Sequence, residues 1–341
     1  MLRQSLLYLS DNRTMRRAVR ETPLSRRLAQ RFVAGDTLDD AVRIASQLNA
    51  DGFTFSLDYL GELVISRAEA LSAADMAIRS LERIAADGLH GNISVKPSQL
   101  GLEIEESFCV ENLSRILFRA RALEGGTDGI FVRLDMEGSD YTERTIRLVE
   151  TLWHLGFRNV GTVVQSYLHR TPDDVRRLNG LGARVRLVKG AYREPSSIAY
   201  QEMPEVQRMF AEEMKMLLDE GNYPAIATHD EELIAATRRY AFEHGIARES
   251  FEFQMLYGIR RDLQQRLREE GYRVRIYLPY GESWYPYLMR RLAERPANVL
   301  FVAGNLLRES PLSAASRPIA IGSGVVTGAL VALAWRGRNN G

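Results

Sequence analysis

The sequence predicts an α/β protein folded as a (β/α)8 barrel of the TIM-like type. A short apolar run rich in β-branched residues, a polar or glycine-containing turn and a longer amphipathic helical segment recur eight times over roughly 250 residues. Such barrels gather their active residues at the carboxyl ends of the strands. A doubly wound sheet usually has fewer strands and a phosphate loop after the first one, and the sequence contains no such loop.

Helices are expected before the first strand. Between residues 23 and 50 the apolar positions recur at helical spacing, with an interruption at residues 35–37. We therefore expect two N-terminal helices. Asp36 or Thr37 would cap the second helix, because a short polar side chain commonly precedes an apolar periodic run.

Strands and helices then alternate to the end of the barrel. The predicted strands cover residues 53–57, 92–95, 130–134, 160–164, 185–188, 223–227, 251–253 and 274–278. The longer predicted helices between them cover residues 68–86, 110–124, 141–155 and 209–220. In the last strand Val274 and Ile276 alternate with Arg275 and Tyr277, and Pro279 ends the run.

Three parts follow from this pattern: an N-terminal helical arm over residues 1–50, the barrel over residues 51–305 and a C-terminal tail over residues 306–341. The tail contains an uncharged stretch, residues 318–335, that includes a GxxxG pattern. Its length lies at the short end of the roughly 17 to 25 residues that cross a bilayer. Two interpretations stay open, a membrane-associating helix and a glycine-rich segment packed on the barrel.

The composition is that of a soluble globular protein, with 45% hydrophobic residues, 26% charged residues and a net charge of +1. Because the chain has no long basic run, we expect no nucleic-acid partner. Cys109 is the single cysteine, and we expect it to pack on a helix in a reducing compartment. The apolar run in residues 1–20 is too short for a secretory signal, so we expect a cytoplasmic protein, held at the inner face of the membrane if the tail inserts. An arginine-rich transit peptide is the alternative.

Polar residues follow every predicted strand, at the end where a barrel builds its active site. They are Asp58 and Glu62, Lys96, Asp135 with Glu137, Gln165, Arg186 with Lys189, Thr228 with His229, Gln254, and Tyr277. Together they predict a large polar ligand site in which cations and carboxylates compensate one another. His169 and His229 lack the spacing of a zinc motif, so we expect no metal.

A pair of arginines follows the last strand on a predicted helix. Tyr287 precedes Arg290 and Arg291 by three and four residues, so one helix face can present a phenol and two guanidiniums. A guanidinium binds a carboxylate through two parallel hydrogen bonds, and the pair therefore fits a small carboxylate or phosphate ligand. A solvated basic pair on a helix surface is the simpler alternative.

Eight segments of the chain carry a family resemblance. They are Asp58-Tyr-Leu-Gly-Glu62, Ile93-Ser-Val-Lys-Pro-Ser98, Arg133-Leu-Asp-Met-Glu137, Val164-Gln-Ser-Tyr167, Arg186-Leu-Val-Lys-Gly-Ala-Tyr192, Ala227-Thr-His-Asp230, Phe251-Glu-Phe-Gln-Met-Leu256 and residues 275–294. In this order they resemble the proline dehydrogenases, FAD-dependent enzymes of proline catabolism, in their compact monofunctional bacterial form. Several segments in the right order are far more specific than one motif.

The resemblance implies a barrel whose eighth helix lies over the mouth, and it implies roles for residues there. Lys96, Arg290 and Arg291 would hold the substrate carboxylate, with Glu62, Asp58 and Glu294 in support. Tyr277, Tyr287 and Leu256 would pack against the pyrrolidine ring, and Asp135, Arg186 and Tyr277 would be catalytic. FAD would contact Met136, Gln165, Arg186, Lys189, Gly190, Ala191, Tyr192, Thr228 and His229.

The reaction implied by the resemblance is oxidation of L-proline to Δ1-pyrroline-5-carboxylate by hydride transfer to FAD. This is the first step of proline catabolism to glutamate, and the electrons would pass to a quinone. Two other functions stay open. Lys96 or Lys189 could form a Schiff base in a lyase or aldolase, or a non-catalytic membrane-associated protein could use the same mouth only to bind a ligand.

Overall fold

The structure is a computed structural model that describes residues 29–61, 64–123 and 129–294, with the backbone alone for residues 290–294. Residues 30–284 form one compact unit, which contains the barrel. The three-part division of the chain, with boundaries at residues 50 and 305, stays a prediction. The first predicted helix begins outside the described residues.

Eight parallel strands close into a barrel in the order of the sequence. They are β1 Thr54–Tyr59, β2 Gly91–Val95, β3 Val132–Leu134, β4 Val160–Gln165, β5 Val185–Val188, β6 Ala225–Ala227, β7 Glu252–Leu256 and β8 Val274–Tyr280. The barrel closes through β8, which pairs with β1 from Arg275 opposite Thr54 to Tyr280 opposite Tyr59. The predicted TIM-like barrel is confirmed, and each predicted strand overlaps an observed one.

Helices alternate with these strands. They are α1 Leu38–Ala50, α2 Arg67–Ala86, α3 Glu106–Leu123, α4 Ser139–His154, α5 Thr171–Leu181, α6 Met203–Glu220, α7 Glu231–Glu243, α8 Arg261–Glu269 and α9 Trp284–Glu294, with short 3-10 turns at Pro97–Leu100 and Arg248–Ser250. The helices predicted between strands are confirmed. The largest shift is in α6, which begins six residues before the predicted start, because Pro204 lies in its first turn, where proline is tolerated.

Two strand ends differ from the prediction for clear reasons. β6 begins at Ala225 because Tyr223 adopts a left-handed backbone angle, φ +50°, which ends extended structure. β7 runs on to Leu256, although the polar side chain of Gln254 interrupts the apolar run. Gln254 is accommodated there because it points into the barrel.

α1 starts with the predicted cap. The Thr37 hydroxyl oxygen accepts a hydrogen bond from the Asp40 backbone N–H at 3.2 Å, and the Asp40 carboxylate accepts from the Thr37 N–H at 3.3 Å. This reciprocal pair is a capping box, so Thr37 rather than Asp36 caps the helix.

The two faces of the barrel strands differ sharply in polarity. Consecutive strand residues point to opposite faces, and on β2 Ile93 and Val95 belong to the apolar core whereas Ser94 does not. Arg186 on β5 donates to Ser94 on β2 and to Gln254 on β7. β5 is paired only with β4 and β6, so these side chains meet across the barrel interior. The apolar core therefore lies between the strands and the helices, and the interior of the barrel is polar.

Cys109 lies on α3 and is buried. Burial raises the pKa of its thiol to about 12, so the side chain is a neutral packing group at neutral pH. The predicted packing role of Cys109 is confirmed. Within the ranges that the structure describes, no helix is long and apolar enough to cross a membrane. The tail stretch 318–335 lies outside those ranges.

Glu213 is a buried acid on α6. Glu213 is 0% exposed, and neither oxygen of its carboxyl group has a hydrogen-bond partner in the part of the chain that the structure describes. Burial raises the pKa of Glu213 to about 8, because the surroundings disfavour the charged form. The carboxyl is therefore protonated in the folded protein at neutral pH.

We expect Glu213→Gln to weaken the dependence of stability on pH. In the wild type, unfolding at pH values between 4.5 and about 8 lets the Glu213 carboxyl ionise, so stability falls as pH rises through that window, by on the order of 1 kcal/mol per pH unit. A neutral amide removes this contribution. Urea unfolding at three pH values inside the window measures it.

Glu212→Gln is the matched control, because Glu212 neighbours Glu213 on α6 but is exposed. Its free energy of unfolding should follow the wild-type pH dependence. If wild type and Glu213→Gln lost stability in parallel from pH 5 to pH 8, Glu213 would not be protonated in the folded state.

Candidate active site

Arg186 is the centre of the polar barrel interior. It is 5% exposed, its Nη1 donates to Asp135 Oδ1 at 2.8 Å, and its Nη2 donates to Ser94 Oγ at 3.2 Å. Its Nε donates to Gln254 Oε1, and the guanidinium lies 5.1 Å from the centroid of the Tyr277 ring. These partners come from different strands, so barrel closure fixes the plane of the guanidinium.

Asp135, the residue after β3, connects Arg186 to the mouth of the barrel. Its Oδ2 accepts from the Tyr277 hydroxyl at 2.6 Å and lies 3.7 Å from Lys96 Nζ. Burial alone would raise the pKa of Asp135, but Arg186 and Lys96 hold it below its usual value. Burial and the Asp135 carboxylate raise the pKa of Tyr277 well above its usual value, so Tyr277 is a neutral donor.

Lys96, the residue after β2, is held between two carboxylates. Its Nζ donates to Asp58 Oδ1 at 2.5 Å, and Asp58 is 1% exposed. Burial alone would lower the pKa of Lys96, but Asp58 and Asp135 raise it above its usual value. A Schiff-base lysine must give up its proton, so this charged amine fits anion binding better than imine chemistry.

Backbone and side-chain bonds join the ends of β2, β3 and β4. The Glu137 carboxylate accepts from the Ser98 backbone N–H at 3.1 Å and from the Ser98 hydroxyl at 2.5 Å. Gln165, the last residue of β4, donates to the Glu137 backbone oxygen at 2.9 Å. Burial raises the pKa of Glu137. Met136, the residue between Asp135 and Glu137, is buried. The turn after β3 is therefore held both by the hydrogen bonds of Glu137 and by the packing of Met136.

A second charged group lies at the ends of β5 and β6. Lys189 Nζ donates to Asp230 Oδ2 at 2.7 Å, and Gln207 Nε2 donates to the same oxygen at 2.7 Å. Burial opposes ionisation of Asp230, but Lys189 and Gln207 lower its pKa. Asp230 also caps α7, and its backbone N–H donates to the Thr228 hydroxyl at 3.1 Å.

His229 bridges the ends of β6 and β7. Its Nε2 accepts a hydrogen bond from the Leu256 backbone N–H at 2.9 Å. When the ring is neutral, this bond places the ring proton on Nδ1. His229 and Leu256 are both half-buried, so each retains surface that a ligand can contact.

The turn after β5 brings the backbone close to an aromatic ring. Gly190 has φ +108°, and a Cβ there would lie 2.2 Å from Cδ1 of Tyr167. Gly190 and Ala191 are half-buried, and Tyr192 is exposed. The absence of a side chain at position 190 thus lets the main chain pack directly on the Tyr167 ring.

The structure joins five of the predicted site residues in one network, Asp58, Lys96, Asp135, Arg186 and Tyr277. The predicted cofactor residues Met136, Gln165, Lys189, Gly190, Ala191, Tyr192, Thr228 and His229, and Leu256 with them, lie at or just after the ends of β3 to β7. Glu62 and the side chains of Arg290, Arg291 and Glu294 lie outside the described part of the chain. Tyr287 is buried on α9, and that predicted helix is confirmed. The predicted roles of all these site residues, and the predicted position of α9 over the mouth, stay predictions.

Sequence reasoning missed several residues that hold the site together. Ser94, Ser98 and Asp230 lie inside the segments that carry the family resemblance, and their polar side chains near the carboxyl ends of strands were the available signal. Gln207 lies on α6, and nothing in the sequence pointed to it. In the described ranges no three His, Cys, Asp or Glu side chains are grouped closely enough to hold a metal ion.

The proline dehydrogenase family model matches residues 41–304. The chain belongs to the proline dehydrogenase family. It is 39% identical over 309 residues to Proline dehydrogenase 1 of Bacillus subtilis strain 168, which covers 91% of this chain and 100% of that relative. It is 42% identical over 285 residues to the Proline dehydrogenase of Deinococcus radiodurans, which covers 82% of this chain and 90% of the relative.

Solved structures agree with this family. The structure of proline utilization A (PutA) from Bdellovibrio bacteriovorus inactivated by N-propargylglycine matches with a TM-score of 0.74 and 25% identity, over 85% of this chain and 35% of that chain. A PutA of Bradyrhizobium japonicum matches with a TM-score of 0.68 at 23% identity, which supports the fold alone. The chain is thus an oxidoreductase on a TIM-like barrel.

We expect Gly190→Ala to destabilise this proline dehydrogenase by about 1 to 3 kcal/mol. The new methyl group would overlap the Tyr167 ring, and alanine is strained at φ +108°. Gly180→Ala is the matched control, because Gly180 lies on α5 with open space around it and alanine favours a helix. Thermal unfolding of both variants tests the expectation, and equal melting temperatures would contradict it.

Proposed function

We propose that the chain uses FAD to oxidise L-proline to Δ1-pyrroline-5-carboxylate. The observation that carries the proposal is the charge-compensated network of Lys96, Asp135, Arg186 and Tyr277 at the mouth of a barrel that belongs to the proline dehydrogenase family. The network presents an ammonium for a carboxylate and a buried guanidinium for an acceptor that gains negative charge.

The residues around the mouth fit a flavin. Gly190 and Ala191 leave the main chain open, and Lys189 and Arg186 supply positive charge. We propose that FAD contacts Met136, Gln165, Arg186, Lys189, Gly190, Ala191, Tyr192, Thr228 and His229. When bound, FAD would supply the acceptor for the hydride that leaves C5 of proline.

Substrate binding follows from the charge on Lys96. The carboxylates of Asp58 and Asp135 keep Lys96 as an ammonium with donors for the proline carboxylate. We propose that Arg290 and Arg291 complete this clamp, supported by Glu62 and Glu294. Tyr277, Tyr287 and Leu256 would enclose the pyrrolidine ring, an apolar contact that selects a ring over an extended chain.

Asp135 has a positioning part in the same proposal. It accepts from Arg186 and from the Tyr277 hydroxyl, so it fixes the guanidinium and the phenol on one carboxylate. Because its pKa is lowered, it stays ionised and does not donate a proton at neutral pH. The catalytic groups are thus oriented before proline binds, which reduces reorganisation during the reaction.

We further propose that the electrons pass to a quinone, and that the protein is cytoplasmic with its tail, residues 318–335, at the membrane. A quinone dissolves in the bilayer, so a tail of that composition would bring the enzyme to its acceptor. The Schiff-base alternative is disfavoured, because Lys96 and Lys189 are each paired with a carboxylate. A protein that only binds a ligand would not need the buried guanidinium of Arg186 oriented by Asp135 beside Tyr277.

The visible spectrum of the purified protein tests the proposal. Anaerobic addition of L-proline should bleach a flavin absorption band, because the cofactor is reduced while proline is oxidised. A flavin band that stays oxidised would exclude proline as the substrate. A colourless protein that does not take up FAD would exclude the flavoenzyme, and borohydride trapping with substrate would then test for an imine.

We expect Arg290→Lys and Arg291→Lys each to weaken proline binding by roughly 10- to 100-fold. Lysine keeps the charge but loses the planar fork that holds a carboxylate through two bonds. The proline concentration that half-saturates anaerobic flavin reduction measures the effect. Arg176→Lys is the control, because Arg176 forms an exposed ion pair with Asp173 on α5. Unchanged half-saturation in both clamp variants would contradict the clamp.

A further inference from the structure

A second ion pair, between a buried carboxylate and a half-buried guanidinium, lies deeper in the barrel than the proposed active site. Glu252, the first residue of β7, binds Arg275 on β8 through both carboxylate oxygens, with distances of 2.7 Å to Nε and 3.0 Å to Nη2. Glu252 is 2% exposed. Burial alone would raise its pKa, but Arg275 lowers it, so Glu252 is ionised. A buried carboxylate of this kind accepts hydrogen bonds and donates none.

Gln254 joins this ion pair to Arg186. Glu252 and Gln254 are two residues apart on β7, so their side chains share the face that points into the barrel. Gln254 Nε2 donates to Glu252 Oε1, and Gln254 Oε1 accepts from Arg186 Nε. Gln254 is 3% exposed.

The chemistry of the two partners fixes the orientation of the Gln254 amide. Glu252 can only accept and Arg186 can only donate, so a flipped amide would face a carboxylate with its oxygen and a guanidinium with its NH2 group. Both contacts would then be repulsive. A glutamate at position 254 would set a second carboxylate against Glu252, and an apolar residue would leave Arg186 Nε without an acceptor.

The Nε bond completes the coordination of the Arg186 guanidinium. Asp135 accepts from Nη1 and Ser94 accepts from Nη2, so each of the three nitrogens has an acceptor. Loss of the Nε acceptor would leave the guanidinium held only through Nη1 and Nη2, so its position would be less well defined.

We propose that Gln254 is a positioning residue for Arg186 and that Glu252 sets the orientation of the Gln254 amide. The ion pair of Glu252 and Arg275 thereby affects the reduction potential of the bound flavin without contacting the substrate. The inference rests on the proposed function, because it takes Arg186 to be the cation beside FAD. A correctly held guanidinium stabilises the negative charge of the reduced cofactor, so a displaced one lowers the reduction potential.

The decisive variant is Gln254→Met, which keeps the length of the side chain and removes both hydrogen bonds. We expect the equilibrium between reduced and oxidised flavin to shift about tenfold toward oxidised, which is about 30 mV more negative for a two-electron couple. Equilibration of the FAD-loaded protein with a reference dye measures the potential. The same potential as the wild type would overturn the inference.

Gln264→Met is the matched control. Gln264 on α8 is 5% exposed and donates to two backbone oxygens, of Leu256 and Ile259, outside the Arg186 network. The same substitution there removes buried hydrogen bonds and should lower stability, but the flavin potential should stay that of the wild type. An equal shift of potential in both methionine variants would overturn the inference, because general loosening of the barrel would then explain it.

Glu252→Met is the second test, used if Gln254→Met does not fold, because methionine, unlike glutamine, offers the Gln254 NH2 group no oxygen to donate to. Removal of a buried negative charge by itself would make the potential more positive. Release of the Gln254 amide and of Arg186 would make the flavin reduction potential more negative. We expect this second effect to dominate, so the measured potential should be more negative than that of the wild type. An unchanged or more positive potential would overturn the inference. The proposed function would instead be contradicted if the wild-type protein took up no FAD, or if proline did not reduce the FAD that it bound.

Discussion

The hydrogen-bonded chain of charges around Arg186 is the constraint on which the barrel interior depends. TIM-like barrels usually fill this space with branched apolar side chains. Here Arg186, Glu252 and Asp135 are buried and Arg275 is half-buried. An unpaired charge in such surroundings costs on the order of several kcal/mol. Each of them therefore needs a partner from another strand, and only a closed barrel of the observed register supplies all of them.

The same compensation fixes the protonation states at the mouth. Asp135 is held as a carboxylate by Arg186 and Lys96, and Lys96 is held as an ammonium by Asp58 and Asp135. Tyr277 remains a neutral donor beside them. These charges are thus set by the protein's own side chains, which is the property expected of a preorganised electrostatic site.

Bonds between neighbouring strand ends give the mouth its rigidity. Ser98 and Gln165 hold the turn after β3 through Glu137, and Asp230 holds Lys189 while it caps α7. These contacts tie the turn after β3 to β4 and to the turn after β2, and they tie the turn after β6 to the turn after β5. A cofactor bound there would contact main chain and side chains whose positions are set by secondary structure rather than by loose loops.

The sequence by itself determined the barrel, because its alternation of short apolar runs and helical segments reports local periodicity. It also determined which polar residues follow the strands, such as Lys96 and Asp135. The end of a strand can be located from the residues of that strand and its turn alone. Only the tertiary structure decided the pairs. Gln254 meets Arg186 from 68 positions away, and Arg275 meets Glu252 from 23 positions away. Barrel closure chooses such partners, and no local pattern records which strands will face each other across the interior.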